Sequence, residues 1–189
     1  MNNRIILSLI TFFIACSTWT AQAQNNKGVN MKTAKILVAY FSATGTTEGV
    51  AKNIAEITGG ELYEIVPSKS YTNADLDWND KKSRSSVEMN NSQSRPALKN
   101  KKDNIQEYDV IFLGYPIWWD LSPRIINTFI ESHALNGKVL IPFATSGGSS
   151  IANSIKTLKS IYPELNWKEG KLLNRMDKDK LRVWIESIK

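Results

Sequence analysis

The sequence predicts an α/β fold of three layers, a parallel sheet with helices on both faces, and three observations carry that expectation. Short, continuously apolar runs alternate with stretches of helical periodicity along most of the chain. The runs lack the polar alternation of a strand with one wet face, so they read as strands covered on both sides. At 189 residues, 42% apolar and 22% charged, the composition is that of an ordinary globular protein with chain enough for one sizeable core.

The first strand is Ile36 to Phe41, apolar throughout. A helix follows, with Val50, Ile54 and Ile57 on one face and a stop at Gly59-Gly60. Leu62 to Val66 forms a second, shorter strand ended by Pro67, and Val110 to Leu113 a third. The next helix starts near Pro123 and turns Ile126, Phe129 and Ile130 inward. Val139 to Ala144 is the fourth strand. Pro142 within it cannot donate to a ladder, which points to a bulge or a strand end. From about Ser149 a helix carries Ile151, Ile155, Leu158 and Tyr162 along one face. A weak fifth strand, Trp167 to Leu173, precedes a last helix capped by Asp177 and buried through Leu181, Trp184, Ile185 and Ile188. Residues 67–104 interrupt this rhythm. They form a polar insertion over one rim of the sheet, of a length that is normally functional or mobile.

The amino terminus reads as a separate element. Arg4, the apolar run Ile5 to Ala15 and the exit Ala21-Gln22-Ala23 have the layout of a secretory signal over residues 1–23. The apolar run is too short for a transmembrane span. Residues 24–31 are then a short linker and 32–189 one domain, exported, with the periplasm as the expected compartment. Cys16 offers a lipid anchor as the alternative, although Phe13 and Ile14 fit a lipoprotein box poorly. The single Cys and the single His, His133, exclude an internal disulfide framework and Cys- or His-rich metal centres.

In an open α/β sheet, ligands bind beyond the carboxyl ends of the strands, and three loops there are unusual. Ser42-Ala43-Thr44-Gly45-Thr46-Thr47 sets four hydroxyls and a glycine at a helix N-terminus, a cradle for an anion or simply a capped turn. After the third strand comes the loop Gly114-Tyr115-Pro116-Ile117-Trp118-Trp119-Asp120, whose paired flat indoles suit a planar ring, with one Trp expected to pack under the following helix. After the fourth comes Thr145-Ser146-Gly147-Gly148. Its glycines allow close backbone approach to a ligand edge, or form a turn that ends with Ser149 as a helix cap. Neither G-x-G-x-x-G nor G-x-x-x-x-G-K-[ST] occurs.

The run Ser42 to Thr47 after an apolar strand resembles the phosphate loop of the flavodoxins, and the likeness extends from about Lys32 to Lys189. It implies a five-stranded, doubly wound parallel sheet of order 2-1-3-4-5. It also implies one FMN, with its phosphate in the first loop and its ring beside Pro116, Ile117, Trp118 and Trp119. The third loop lacks the ring-stacking aromatic of familiar flavodoxins, so the second flavin face is either open or covered from the insertion, by Trp78 or Tyr71.

Other chemistry is weaker. His133 lies late in a helix, as a surface or dipole-compensating residue. Asp75, Asp77 and Asp80 lack the glycine and closing glutamate of a calcium loop and read as a solvated segment. No catalytic residue and no metal are expected. The net charge of +6 resides in the insertion (eight basic against five acidic residues) and in residues 165–189 (seven against four), without a basic–aromatic array, so nucleic acid is not the expected partner. The expected function is electron transfer through a non-covalent FMN, between redox partner proteins or to a small quinone-like acceptor. An FMN-dependent reductase of quinones or other small acceptors is the alternative, and a flavin-free binding module of the same fold the third possibility.

Overall fold

A computed structural model describes residues 30–31, 33–174 and 177–188. The expected export signal, 1–23, and most of the linker lie outside the described residues. The elements are β1 (Ile36–Tyr40), α1 (Thr46–Thr58), β2 (Glu61–Glu64), α2 (Arg84–Asn90), β3 (Val110–Pro116), α3 (Arg124–Glu131), β4 (Val139–Thr145), α4 (Ala152–Ile161), β5 (Asn166–Trp167), β6 (Lys171–Leu172) and α5 (Lys178–Ser187). The sheet is parallel in the order β2-β1-β3-β4-β5, with β6 also on β4. It is the doubly wound α/β sandwich with order 2-1-3-4-5, its fifth strand in two short pieces.

Alternation along β1 divides the core. Leu37 and Ala39 face one side, where α3 and α4 contribute Ile125, Phe129 and Leu158. Ile36, Val38 and Tyr40 face the other, where α1 and α5 contribute Ala51, Ile54, Leu181 and Trp184. Every residue of β1 and β4 is buried, which is why these strands are apolar without a break.

The split fifth strand answers the problem of Pro142. Lys168 N donates to Leu140 O and Leu173 N to Ala144 O, so the backbone of Pro142, between those two residues, faces the same neighbour. There β5 has ended and β6 has not begun, and Gly170 passes so close that a Cβ on it would lie 2.6 Å from Pro142 O. The bulge expected of the proline thus appears on the adjoining strand.

β3 runs three residues beyond the expected Leu113. Gly114 is not a terminator: it pairs with Phe143, whose ring fills the space of its missing side chain, and a Cβ there would sit 2.1 Å from Phe143 Cζ. The ladder therefore continues to Pro116↔Thr145.

The insertion is folded, not loose. Its ends zip together through Ser68 N to Ala97 O (2.7 Å) and Lys99 N to Val66 O (2.8 Å). It carries α2, and Arg95 forms a forked pair with Glu131 of α3 at 2.7 and 2.8 Å. Buried Arg124, at the start of α3, donates to Met89 O near the end of α2.

His133 is a structural clamp. Its Nε2 accepts from Lys102 N (3.0 Å), so Nδ1 carries the proton and donates to Phe129 O (2.7 Å). Burial holds its pKa below the usual 6.5. The unfolded chain therefore binds the proton more readily, and this contribution to stability is full above pH ~6.5 and fades as pH falls. Resistance of the wild type to chemical denaturation should fall as pH drops from 7 to 5.5. His133→Asn should lose about 1 kcal/mol at pH 7 and lack that slope. A second variant tests the sheet: Gly114→Ala should lower stability by about 1–3 kcal/mol, from overpacking against Phe143.

Candidate functional site

The first loop does not cap its helix with a side chain. Gly45 holds the cap position of α1 with φ 85°, a left-handed conformation suited to glycine, and no side-chain oxygen bonds the first turn. The capped-turn explanation for the hydroxyls therefore fails. Thr47 is buried and its hydroxyl meets that of Thr145 at 2.8 Å, tying the first loop to the end of β4. Ser42 Oγ is buried without a hydrogen-bond partner, a cost of about 1–3 kcal/mol for a hydroxyl left unpaired. Thr44 and Thr46 are exposed at the rim.

The second loop separates its two tryptophans. Trp118 N donates to Leu121 O and Leu121 N to Trp118 O, both at 2.9 Å, closing a two-residue reversal over Trp119 (φ 46°) and Asp120 (φ 62°). Two adjacent non-glycine residues in the left-handed region cost on the order of 1 kcal/mol each. The reversal turns Trp119 outward, 47% exposed. Trp118 folds back and meets the rings of Phe41 and Tyr71 nearly edge-on, at 5.7 and 5.4 Å between centroids.

Tyr71 is therefore not a cover for the site. It stands behind Trp118, with the Arg84 guanidinium 3.9 Å above its ring and its hydroxyl donating to Glu88. Burial first, and then the Glu88 carboxylate, push its phenol far above the ordinary range and keep it neutral. The insertion thus reaches the site as a buttress. Trp78 remains the exposed aromatic of the insertion.

The third loop is held by a residue that sequence reasoning missed. Ser146 N donates to Asn174 Oδ1 (2.7 Å), and Asn174 Nδ2 donates to Ser146 O (2.6 Å). Ser146 Oγ accepts from Gly148 N and Ser149 N at 3.2 and 2.8 Å. Because this turn absorbs Ser149, α4 begins only at Ala152, and Ser149 is not its cap. Gly147 and Gly148 are not at positive φ, and a Cβ on either would meet nothing within 4 Å. Neither backbone conformation nor packing within the chain demands glycine there.

These loops enclose one open cavity of about 810 Å³. Ala43, Thr44, Thr46 and Thr47 line it from the first loop, and Pro116, Ile117 and Trp118 from the second. Thr145, Ser146 and Gly147 close the third side, and Leu172, Leu173 and Asn174 the fourth. Ser42 and Gly45 of the first loop and the exposed Gly148 do not line it, and Trp119 lines a smaller cavity that shares Ile117 and Trp118. Leu172 ends β6 and Leu173 and Asn174 follow it, so the signal that could have found them was the carboxyl end of the fifth strand, treated as the first, third and fourth were. Among the described residues, no charged side chain lines the cavity. Its field is that of the α1 N-terminus and of neutral donors. Asp75, Asp77 and Asp80 accept from the backbone of Thr72, Asn79 and Lys82, as members of local turns away from it.

Comparison with known proteins gives this geometry a family. The family model described as Flavodoxin matches residues 35–188. A candidate flavoprotein from Bacteroides eggerthii shares 64% identity at a TM-score of 0.80, over 82% of this chain and 98% of its own. One from Bacteroides uniformis shares 58% at the same TM-score, over 82% and 99%. A Lactobacillus acidophilus flavoprotein solved in complex with FMN has the same fold, at 21% identity and a TM-score of 0.62, over 80% and 99%. No curated protein matches. On a family match that spans almost all of the described chain, this protein belongs to the flavodoxin family.

Proposed function

We propose that the protein is an FMN-binding redox protein that passes electrons through a non-covalently held flavin. One observation carries the reading: the hydroxyls ahead of α1 do not cap it, and Ser42 Oγ is buried unpaired in the loop whose Ala43, Thr44, Thr46 and Thr47 line the cavity. A phosphate at this helix N-terminus would meet Thr44, Thr46 and backbone N–H groups, and Ser42 Oγ is the buried hydroxyl that such an acceptor suits.

The remaining residues suit the rest of the molecule. The cavity volume lies within the usual range for a ligand site. Trp118, fixed from behind by Phe41 and Tyr71, offers an aromatic flank. Gly147 leaves open the space that a side chain would take from a planar ring. When bound, FMN supplies reversible acceptance of electrons. The chain binds it, orients it through the Asn174-clamped loop and excludes water on the Trp118 side. Among the described residues the lining adds no positive charge that would favour an anionic reduced form.

A second reading, reduction of quinones or other small acceptors, is favoured by the part of the cavity wall that Gly147, Leu172 and Leu173 form, which presents no aromatic cover. Steady oxidation of NAD(P)H by the loaded protein with a quinone would select the reductase, whereas a carrier needs a separate reductase. We place the protein outside the cytoplasm, in the periplasm, on the layout of residues 1–23, with lipidation at Cys16 as the variant form. Cell fractionation and the mass of the exported chain distinguish the two.

Thr44→Ala/Thr46→Ala should weaken FMN binding at least tenfold, because each hydroxyl bonded to a charged group contributes about 1.5–3 kcal/mol, and leave far-UV circular dichroism unchanged. Quenching of flavin fluorescence measures it. Unaltered affinity would mean that the phosphate lies elsewhere.

A further inference from the structure

Beside the main cavity lies a second one, of about 270 Å³, walled by Leu76, Trp78, Ser85, Ile117, Trp118 and Trp119. We infer that it binds an uncharged, planar aromatic molecule of one or two rings that carries an oxygen.

Three of the six walls are indoles and two are aliphatic, so the lining favours a flat apolar ligand over any charged one. Trp78 is 72% exposed and Trp119 47%, although both are large enough to gain much from burial. Trp119 stands out because Trp119 and Asp120 both hold the left-handed backbone, a costly arrangement that the Trp118–Leu121 bonds enforce. Trp118, the shared floor, is locked by Phe41 and Tyr71 and cannot swing in to fill the space. The polar side chain in the lining is Ser85, itself buried, whose hydroxyl makes only a long 3.4 Å contact with Ser83 Oγ. An apolar slot with one hydroxyl selects a ring with one oxygen. The volume admits one or two fused rings and is too small for a nucleotide.

Ile117 and Trp118 line both cavities, so an occupant here sits one side chain away from the main site. Its connection to electron transfer rests on the flavin reading above. Its existence does not, because Leu76, Trp78 and Ser85 all belong to the insertion.

The test uses flavin-free protein, titrated calorimetrically with 2-naphthol, naphthalene and naphthalene-2-sulfonate, and separately with FMN. We expect saturable binding of 2-naphthol and at least tenfold weaker binding of the sulfonate. Trp78→Ala should weaken 2-naphthol about tenfold and Trp78→Phe should restore most of it, through the lost and regained stacking face. Ser85→Ala should weaken 2-naphthol about fivefold and leave naphthalene unchanged. FMN affinity should be the same in all three variants. The inference is overturned if 2-naphthol does not bind, if Trp78→Ala leaves its binding intact, or if FMN displaces it competitively. Loss of FMN binding alone, with the naphthol results as stated, would remove the flavin reading and keep this one.

Discussion

The site depends on a steric fit inside the sheet. Phe143 occupies the space above Gly114, and with that pairing the register of β3 on β4 is set through to Pro116↔Thr145. A one-residue slip would drive the Phe143 ring against a larger neighbour and turn an apolar strand inside out. Because the two strands end level, the second and third loops leave the sheet side by side, and Ile117 N can reach Thr145 O. The Thr47–Thr145 hydroxyl bond then adds the first loop to the same edge. Four loops thus converge where the strand order reverses, at the place such sheets offer to ligands.

The chemistry of that edge is neutral. Among the described residues its lining contains hydroxyls, one amide, one glycine, aliphatic groups and one indole, so what it offers an anion is the dipole of α1 and hydrogen-bond donors. The net positive charge is carried mostly by the insertion and by residues 165–189. Part of the insertion's charge is internal to the fold, where Arg84 stacks on Tyr71 and bonds Glu88, and Arg95 grips Glu131. The same segment steadies Trp118 from behind and supplies half the walls of the neighbouring aromatic cavity.

Much of the fold was legible in the sequence because strands buried on both faces must be apolar throughout, and Ile36–Phe41, Val110–Leu113 and Val139–Ala144 announce themselves. What was not legible depended on contacts between distant residues. Gly114 looks like a terminator until Phe143 is placed against it, and Pro142 like a defect until β5 and β6 are seen to part around it. The switch-side loops were visible from composition, and ten of their residues do line one cavity. Asn174 was invisible because its part lies in two bonds to Ser146, 28 positions away. Tyr71 pointed toward the site by type but serves behind it, since only the folded insertion shows Arg84 and Glu88 closing over it.

The central claim is that the loops before α1, after β3 and after β4 hold one FMN, and the most direct measurement is an absorption and fluorescence titration of flavin-free protein with FMN. The account predicts saturation at one equivalent, with a shifted visible flavin spectrum and quenching of both flavin and tryptophan emission. An unshifted spectrum, with flavin fluorescence that rises in proportion to added FMN and tryptophan emission unchanged, would contradict it.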